Sequence, residues 1–213
     1  MGFTDTEQEW SSDFGNSYLK RNRFTVRELD DLYIRNYGIS RSQMNTEFLG
    51  NLDRSCKILE IGCNIGNQLK LLQSLGFKNL WGLDILEEAV ETAKKNTKGI
   101  NIIKSSAFDI PFKNRYFDLV YTSGVLIHIN PNNLNNVLES IYSLSSRYIW
   151  CFEYYNEVNV DLEYRGKKGL LWKNNFLKLF MEKYSDLKLL KEMKVKYLDR
   201  DNTDSMFLIE KVK

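Results

Sequence analysis

The sequence predicts an α/β fold: a doubly wound, mostly parallel sheet of seven strands, preceded by a helical segment and closed by an antiparallel hairpin. Three observations carry this. Strand-like and helix-like runs alternate from residue 57 onward, the pattern that lays parallel strands side by side with helices on both faces. The run Lys57-Ile58-Leu59 leads into Glu60-Ile61-Gly62-Cys63-Asn64-Ile65-Gly66, a glycine-bearing turn that opens a helix-like stretch. A second strand-like run, Asn79 to Leu83, closes on Asp84. A strand, a glycine turn, a helix and a strand ending in an acid is the layout of a nucleoside-binding βαβ unit.

In chain order, residues 4–55 read as a helical region. Thr4-Asp5-Thr6 offers caps, and Thr6 with Glu9 fits a capping box. Trp10, Phe14 and Tyr18 recur at helical spacing and give one aromatic face. Further amphipathic patterns run through Val26, Leu29, Leu32 and Tyr33, and through Met44, Phe48 and Leu49. Strands are expected near 57–61, 79–84, 100–104, 117–121 and 147–153. Helices fill 66–76, 86–97 and 132–145, the last introduced by Asn130-Pro131. A polar segment, 156–169, precedes a helix near 173–184. Leu187 to Leu198 and Ser205 to Val212, about the polar turn Asp199 to Asp204, supply the antiparallel hairpin. The expected division is a helical cap or lid over 1–55 and a ligand-binding region over 56–213, within one structural domain.

Composition narrows the function. With 213 residues and 43% hydrophobic content, the chain can bury a substantial core. A net charge of +2 gives no strong pull toward nucleic acid. Residues 161–213 carry 13 basic against 9 acidic side chains, read as a solvated face with a weak attraction for an anionic small molecule. Cys56, Cys63 and Cys151 lack metal-ligand spacing, and buried thiols imply a reducing compartment. The single histidine excludes a zinc site built from several histidines. No apolar run approaches ~18 residues, and the N-terminus is acidic and polar, so a cytoplasmic chain without a membrane or nucleic-acid partner is expected.

In open parallel sheets the ligand lies beyond the carboxyl ends of the strands. Gly62 permits a sharp turn and close approach to bare backbone, and Gly66 permits close packing where the helix starts. Asp84 can accept two hydrogen bonds from a ribose diol, with Asn64 and Ile85 alongside. Glu60 selects the ligand: its carboxylate repels a pyrophosphate and tolerates a cation. Asn64 also breaks the G-x-G-x-x-G spacing of dinucleotide binders. These residues resemble the first motif of the class I methyltransferases that use S-adenosylmethionine (SAM). The resemblance covers about residues 57–155 and implies SAM as cofactor. It places Ser106 where the family usually carries an acid against the adenine amino group, with Ala107 and Phe108 beside the ring. It also turns Thr122, Ser123 and Gly124 toward the transferable methyl group. The Asn/Asp-Pro-Pro-aromatic tetrad of enzymes that methylate DNA amines is absent, which leaves oxygen acceptors or other nitrogens. His128 is either a general base for a hydroxyl acceptor or a residue packing at a helix start.

Peripheral motifs resemble a narrower group. Glu9-Trp10, Phe14-Gly15, Tyr18 and Arg21-Asn22, with Glu153-Tyr154-Tyr155-Asn156, Glu163-Tyr164-Arg165-Gly166, Leu171-Trp172-Lys173 and Asn175-Phe176, are similar to the pseudaminic acid biosynthesis-associated methylases. That resemblance implies a nonulosonic acid, or its nucleotide-linked form, as methyl acceptor in bacterial surface-glycan synthesis. A phosphonate, a carboxylate or another natural-product acid is the alternative acceptor, and a non-catalytic SAM-binding regulator is the alternative class. Arg165 can clamp a carboxylate or pair with Glu163. Tyr154, Tyr155, Tyr164 and Lys173 offer polar and flat contacts to a polyol, while Tyr18 and Arg21 can close a lid near the cofactor's methionine carboxylate.

Overall fold

A computed structural model describes residues 4–212; residues 1–3 and 213, the outermost ends of the two expected segments, lie outside the described residues. The chain divides into two compact units, residues 1–111 and 112–213.

The first unit opens with four helices, α1 (Asp5–Trp10), α2 (Asp13–Arg21), α3 (Val26–Tyr37) and α4 (Arg41–Leu49). Alternation then begins with β1 (Lys57–Ile61), α5 (Asn67–Ser74), β2 (Asn79–Asp84), α6 (Glu87–Asn96) and β3 (Asn101–Lys104). β2 lies between β1 and β3 and is parallel to both, with Ile58 opposite Leu80 and Gly82 opposite Ile102. Four of the five β1 residues are buried, the mark of a strand covered on both faces.

The capping box of α1 differs from the expected one. Thr4, not Thr6, caps the helix, and Glu7 returns its carboxylate to the Thr4 backbone N–H at 2.8 Å. Thr6 is already inside the first turn, so it cannot serve as cap. The aromatic face is also divided, because the chain breaks at Ser11-Ser12 and the Ser12 hydroxyl caps α2. Trp10 nonetheless holds Phe14 and Tyr18 edge-to-face at 5.2 and 5.3 Å. A Cβ on Gly15 would stand 2.0 Å from the Trp10 carbonyl oxygen, so this corner requires glycine. α2 buries Leu19 in a cluster with Ile65, Leu86 and Ala89, which seats the N-terminal helices on the turns that follow β1 and β2. Full burial of one such leucine contributes about 1.5–3 kcal/mol.

The second unit runs through β4 (Phe117–Ser123), a 3-10 turn (Leu126–His128), α7 (Pro131–Leu144) and β5 (Ser145–Tyr154). β6 (Val160–Tyr164), β7 (Lys167–Lys173), α8 (Phe176–Lys183), β8 (Leu187–Lys196) and β9 (Thr203–Lys211) complete it. β5 is parallel to β4 and antiparallel to β9, and β9 is antiparallel to β8, which is the expected terminal hairpin. The seven-stranded sheet has the order β3-β2-β1-β4-β5-β9-β8. Trp150 and Tyr121 lie fully buried in the second unit, 5.0 Å apart.

The polar segment 156–169 contains a strand and a tight turn. β6 and β7 form a separate antiparallel pair joined by Arg165-Gly166, both at positive φ (54° and 77°). Two central residues in that conformation match the twist of the flanking strands. The following helix begins at Phe176 because the Asn175 side chain accepts the Lys178 N–H and caps it there. Among the described residues, no helix is long and apolar enough to cross a membrane, and no group of three or more metal-ligating side chains is assembled.

Candidate functional site

In the first unit, the glycine turn is held in place by its own backbone. The Cys63 N–H donates to the Leu83 carbonyl at 2.9 Å and the Gly66 N–H to the Cys63 carbonyl at 2.9 Å. Gly62 and Gly66 adopt φ of 72° and 80°, and Asn64 between them takes 47°. At Gly66 a Cβ would stand 2.8 Å from the Thr97 methyl, so close packing adds to the conformational demand. Gly82 carries a similar constraint that the sequence motif did not reveal: a Cβ there would meet Leu69 at 2.6 Å and the Cys63 sulfur at 2.8 Å.

Asp84 sits half-buried at the end of β2. One carboxylate oxygen accepts the Asn64 N–H at 2.8 Å, and the other accepts the Leu86 N–H at 2.9 Å. A carboxylate has about four lone-pair sites, so the backbone orients it without exhausting it. Burial raises its pKa, and the N–H groups of Leu86, Asn64 and Ile85 oppose that rise. Glu60 is 2% exposed at the base of the turn. Ile85 helps to line a cleft of about 350 Å³ with Ser11, Asn16, Leu86, Glu87 and Lys104.

Ser106 lies beyond β3, where its hydroxyl accepts the Phe108 N–H at 3.0 Å and donates to the Glu7 carboxylate. Ala107 and Phe108 follow in a half-buried turn. Glu7 is only 9% exposed, so α1 delivers a buried acid to the strand end where the sequence shows serine. Sequence reading missed Glu7; the signal was its spacing of three from Thr4. Tyr18 is packed on Trp10, and Arg21 is exposed at the end of α2.

In the second unit, Thr122 is buried near the end of β4, and Ser123 is half-buried beside Gly124, which turns at φ 67° and donates its N–H to the Phe152 carbonyl at 2.9 Å. His128 closes the 3-10 turn. Its Nδ1 lies 2.7 Å from the carbonyl oxygen of Leu170 on β7. A carbonyl only accepts, so Nδ1 carries the proton and Nε2 the lone pair of the neutral ring. Burial lowers the His128 pKa to about 4, partly opposed by the Leu170 carbonyl, so the ring is neutral at pH 7. An ordinary imidazole titrates near neutrality; burial makes this ring a weaker base that is neutral at pH 7.

Tyr164 of β6 faces His128 with ring centroids 5.6 Å apart, and the Arg165 guanidinium lies 6.0 Å from the Tyr164 ring. Arg165, Lys167 and Lys168 are exposed at the hairpin tip. The structure thus groups His128, Tyr164 and Arg165. Tyr155 belongs to a different cluster: its hydroxyl bonds Glu157 and receives the Lys194 ammonium at 2.7 Å. Tyr154 packs edge-to-face on Tyr197 at 6.4 Å, and Lys173 is half-buried at the far end of β7, opposite Val160. Glu153, 2% exposed, bonds the turn before His128 and was not selected as a site residue from sequence.

The turn after β1 and the first turn of α5 also carry unsatisfied acceptors. The side-chain oxygens of Asn64, Asn67 and Gln68 are buried without a hydrogen-bond partner. Buried acceptors in that state are costly and fit a ligand rich in donors, such as an ammonium group. Together with the spare lone pairs of Asp84, the residues present fit SAM.

The alternating strands and helices define a Rossmann-like α/β fold. Residues 59–146 match the family described as "Methyltransferase domain". The phosphoethanolamine N-methyltransferase of Plasmodium falciparum is 25% identical over 135 residues, 59% of this chain and 51% of that protein. An uncharacterized methyltransferase of Synechocystis is 30% identical over 86 residues, 40% of each chain. The chain spans about half the length, or less, of the curated relatives it matches. Among solved structures, a Burkholderia thailandensis 1,6-didemethyltoxoflavin N1-methyltransferase with bound S-adenosylhomocysteine has a TM-score of 0.70 at 13% identity, covering 100% of this chain and 93% of that one. A putative methyltransferase in complex with the Haloferax volcanii Trm112 activator has a TM-score of 0.71 at 13% identity, covering 98% of both chains.

Proposed function

We propose that this chain transfers a methyl group from SAM to an oxygen of a small acidic acceptor, a nonulosonic acid of the pseudaminic type or its nucleotide-linked form. SAM supplies an electrophilic methyl group on a sulfonium. Glu60 places negative charge near that cation, Asp84 holds the ribose, Asn64, Asn67 and Gln68 receive the ammonium, and residues 1–55 cap the cofactor. Ile85, Ser106, Ala107 and Phe108 border the adenine, Thr122 and Ser123 complete the cofactor contacts, and Tyr18 and Arg21 act from the lid. The acceptor's hydroxyl proton passes to Nε2 of His128, while Arg165 receives the acceptor's carboxylate. Tyr164 packs on the sugar, with Tyr154, Tyr155 and Lys173 as outer contacts.

The observation that carries this reading is the Leu170 carbonyl on Nδ1 of His128, which orients a neutral imidazole for proton abstraction next to a basic hairpin tip. The exposed cations Arg165, Lys167 and Lys168 support an anionic acceptor. The Glu7 carboxylate on Ser106 supports a complete cofactor site over a degenerate one. The buried thiols Cys63 and Cys151 agree with a cytoplasmic setting.

The test is incubation of the purified chain with SAM and a panel of nonulosonic acids, their nucleotide-linked forms, phosphonates, carboxylates and phosphoethanolamine, read by mass spectrometry. Addition of one methyl group to a nonulosonate hydroxyl is expected. Methylation confined to a carboxylate or phosphonate, unaffected by His128→Ala, moves the reading to the alternative acceptors. Binding of SAM with no turnover on any acceptor favours the regulatory alternative.

A further inference from the structure

Glu153 is a buried carboxylate that the proposed proton transfer does not use. One oxygen accepts the Val125 N–H at 3.2 Å, and the other accepts the Ile127 N–H at 3.4 Å. These N–H groups open the 3-10 turn that ends in His128, a turn without a side-chain cap of its own. The same stretch is anchored before Glu153 as well, where the Gly124 N–H reaches the Phe152 carbonyl. Its far end is fixed by the His128 N–H on the Val125 carbonyl at 2.9 Å and by Asn130, whose side chain caps α7. The backbone from Gly124 to His128 is therefore held by β5, while the ring at its end is held by β7.

We infer that Glu153 is a positioning residue: by clamping the 125–127 turn, it sets the His128 ring against the Leu170 carbonyl and so fixes which ring nitrogen carries the lone pair. The catalytic consequence rests on the reading of His128 as the base; the structural consequence does not. A carboxylate suits this place because it accepts at both oxygens. Glutamine offers one acceptor and one NH₂ group, so one of the two backbone N–H groups would face a donor.

His128 is the only histidine, so the ¹⁵N-imidazole spectrum of the full chain reports it without ambiguity. In the native protein the expected spectrum is a neutral ring protonated at Nδ1. Glu153→Gln is expected to mix the tautomers and to lower kcat by about 10²-fold, the usual cost of ångström-scale misplacement. SAM affinity should fall far less than kcat, because Glu60 and Asp84 are unchanged and only Thr122 among the assigned cofactor contacts faces Glu153. A folded Glu153→Gln protein with unmoved ring signals overturns the inference and leaves the base reading intact. His128→Ala with full turnover defeats the base reading and leaves the tautomer result standing.

Should Glu153→Gln fail to fold, the native protein supplies the test. The groups facing Glu153 are the Thr122 hydroxyl, the three N–H groups of Val125, Leu126 and Ile127, and the Cys151 thiol. Titration of Glu153 between pH 5 and 8.5 should shift the balance of Nδ1 and Nε2 signals while the ring stays neutral. Invariant ring signals across that range overturn the inference.

Discussion

Asp84 in the first unit and Glu153 in the second are both carboxylates at the ends of strands, and both accept backbone N–H groups, yet they serve opposite ends. Asp84 is half-buried, takes its two N–H groups at 2.8 and 2.9 Å, and retains lone pairs for a ligand. Glu153 is 2% exposed, with its contacts turned inward to a segment of its own chain. A carboxylate oriented by backbone can thus keep acceptor capacity for a ligand or spend it on its own chain. Depth of burial separates the two uses.

The largest expected effect removes the residue that the second carboxylate serves. His128→Ala should lower turnover on a hydroxyl acceptor by about 10²–10⁴-fold, the range of general-base catalysis, with SAM affinity nearly unchanged. Steady-state kinetics with calorimetry for SAM would show this, and equal losses in both would erase the distinction between the two regions. Asp84→Ala should weaken SAM binding by about 1–3 kcal/mol, the scale of lost charge-assisted hydrogen bonds. Retained affinity would remove Asp84 from the ribose site. Arg165→Ala should raise the acceptor KM by about tenfold at constant kcat, the pattern of lost uniform binding. Arg165→Gly should do the same without lowering Tm, since glycine accepts the positive φ of that turn.

The smallest effect lies in stability against pH. The folded state raises Glu153 from its ordinary value of 4.5 to about 7, so it binds the proton more tightly than the unfolded chain. Glu153 therefore contributes stability that is lost as pH rises from about 4.5 through 7. The folded state lowers His128 from 6.5 to about 4, so its contribution is lost as pH falls through that interval. The two slopes oppose each other between pH 4.5 and 6.5. Thermal melts should be nearly flat there for the native chain. Stability should decline with rising pH in His128→Ala and with falling pH in Glu153→Gln. Parallel slopes in all three proteins would refute the opposed titrations.

The first carboxylate was legible in the sequence and the second was not, for a physical reason. Glu60, Gly62, Gly66 and Asp84 belong to one βαβ unit, where local periodicity and glycine spacing dictate the turn. The parallel strands, the helices between them and the terminal hairpin are visible in the same way. Glu153 acts on residues 26 and 28 positions earlier, and Leu170 on one 42 positions earlier; neither pairing leaves a periodic trace. The hairpin carrying Tyr164 was hidden because β6 alternates exposed and half-buried residues without a strongly apolar face. Arg165-Gly166 was the available signal, with glycine at a position suited to a two-residue turn. Glu7 was obscured differently. Thr6 with Glu9 satisfies the capping pattern as well as Thr4 with Glu7 does, and only the packing of α1 on the end of β3 decides between them.

The most direct test of the central claim is isothermal titration of the purified chain with S-adenosylhomocysteine, run beside Asp84→Ala and beside NAD. Saturable one-to-one binding to the native chain, weakened by Asp84→Ala and absent with NAD, is the predicted result. No heat and no thermal shift with S-adenosylhomocysteine, or equal binding of NAD, would contradict the assignment of the β1 turn and Asp84 to a cationic nucleoside donor.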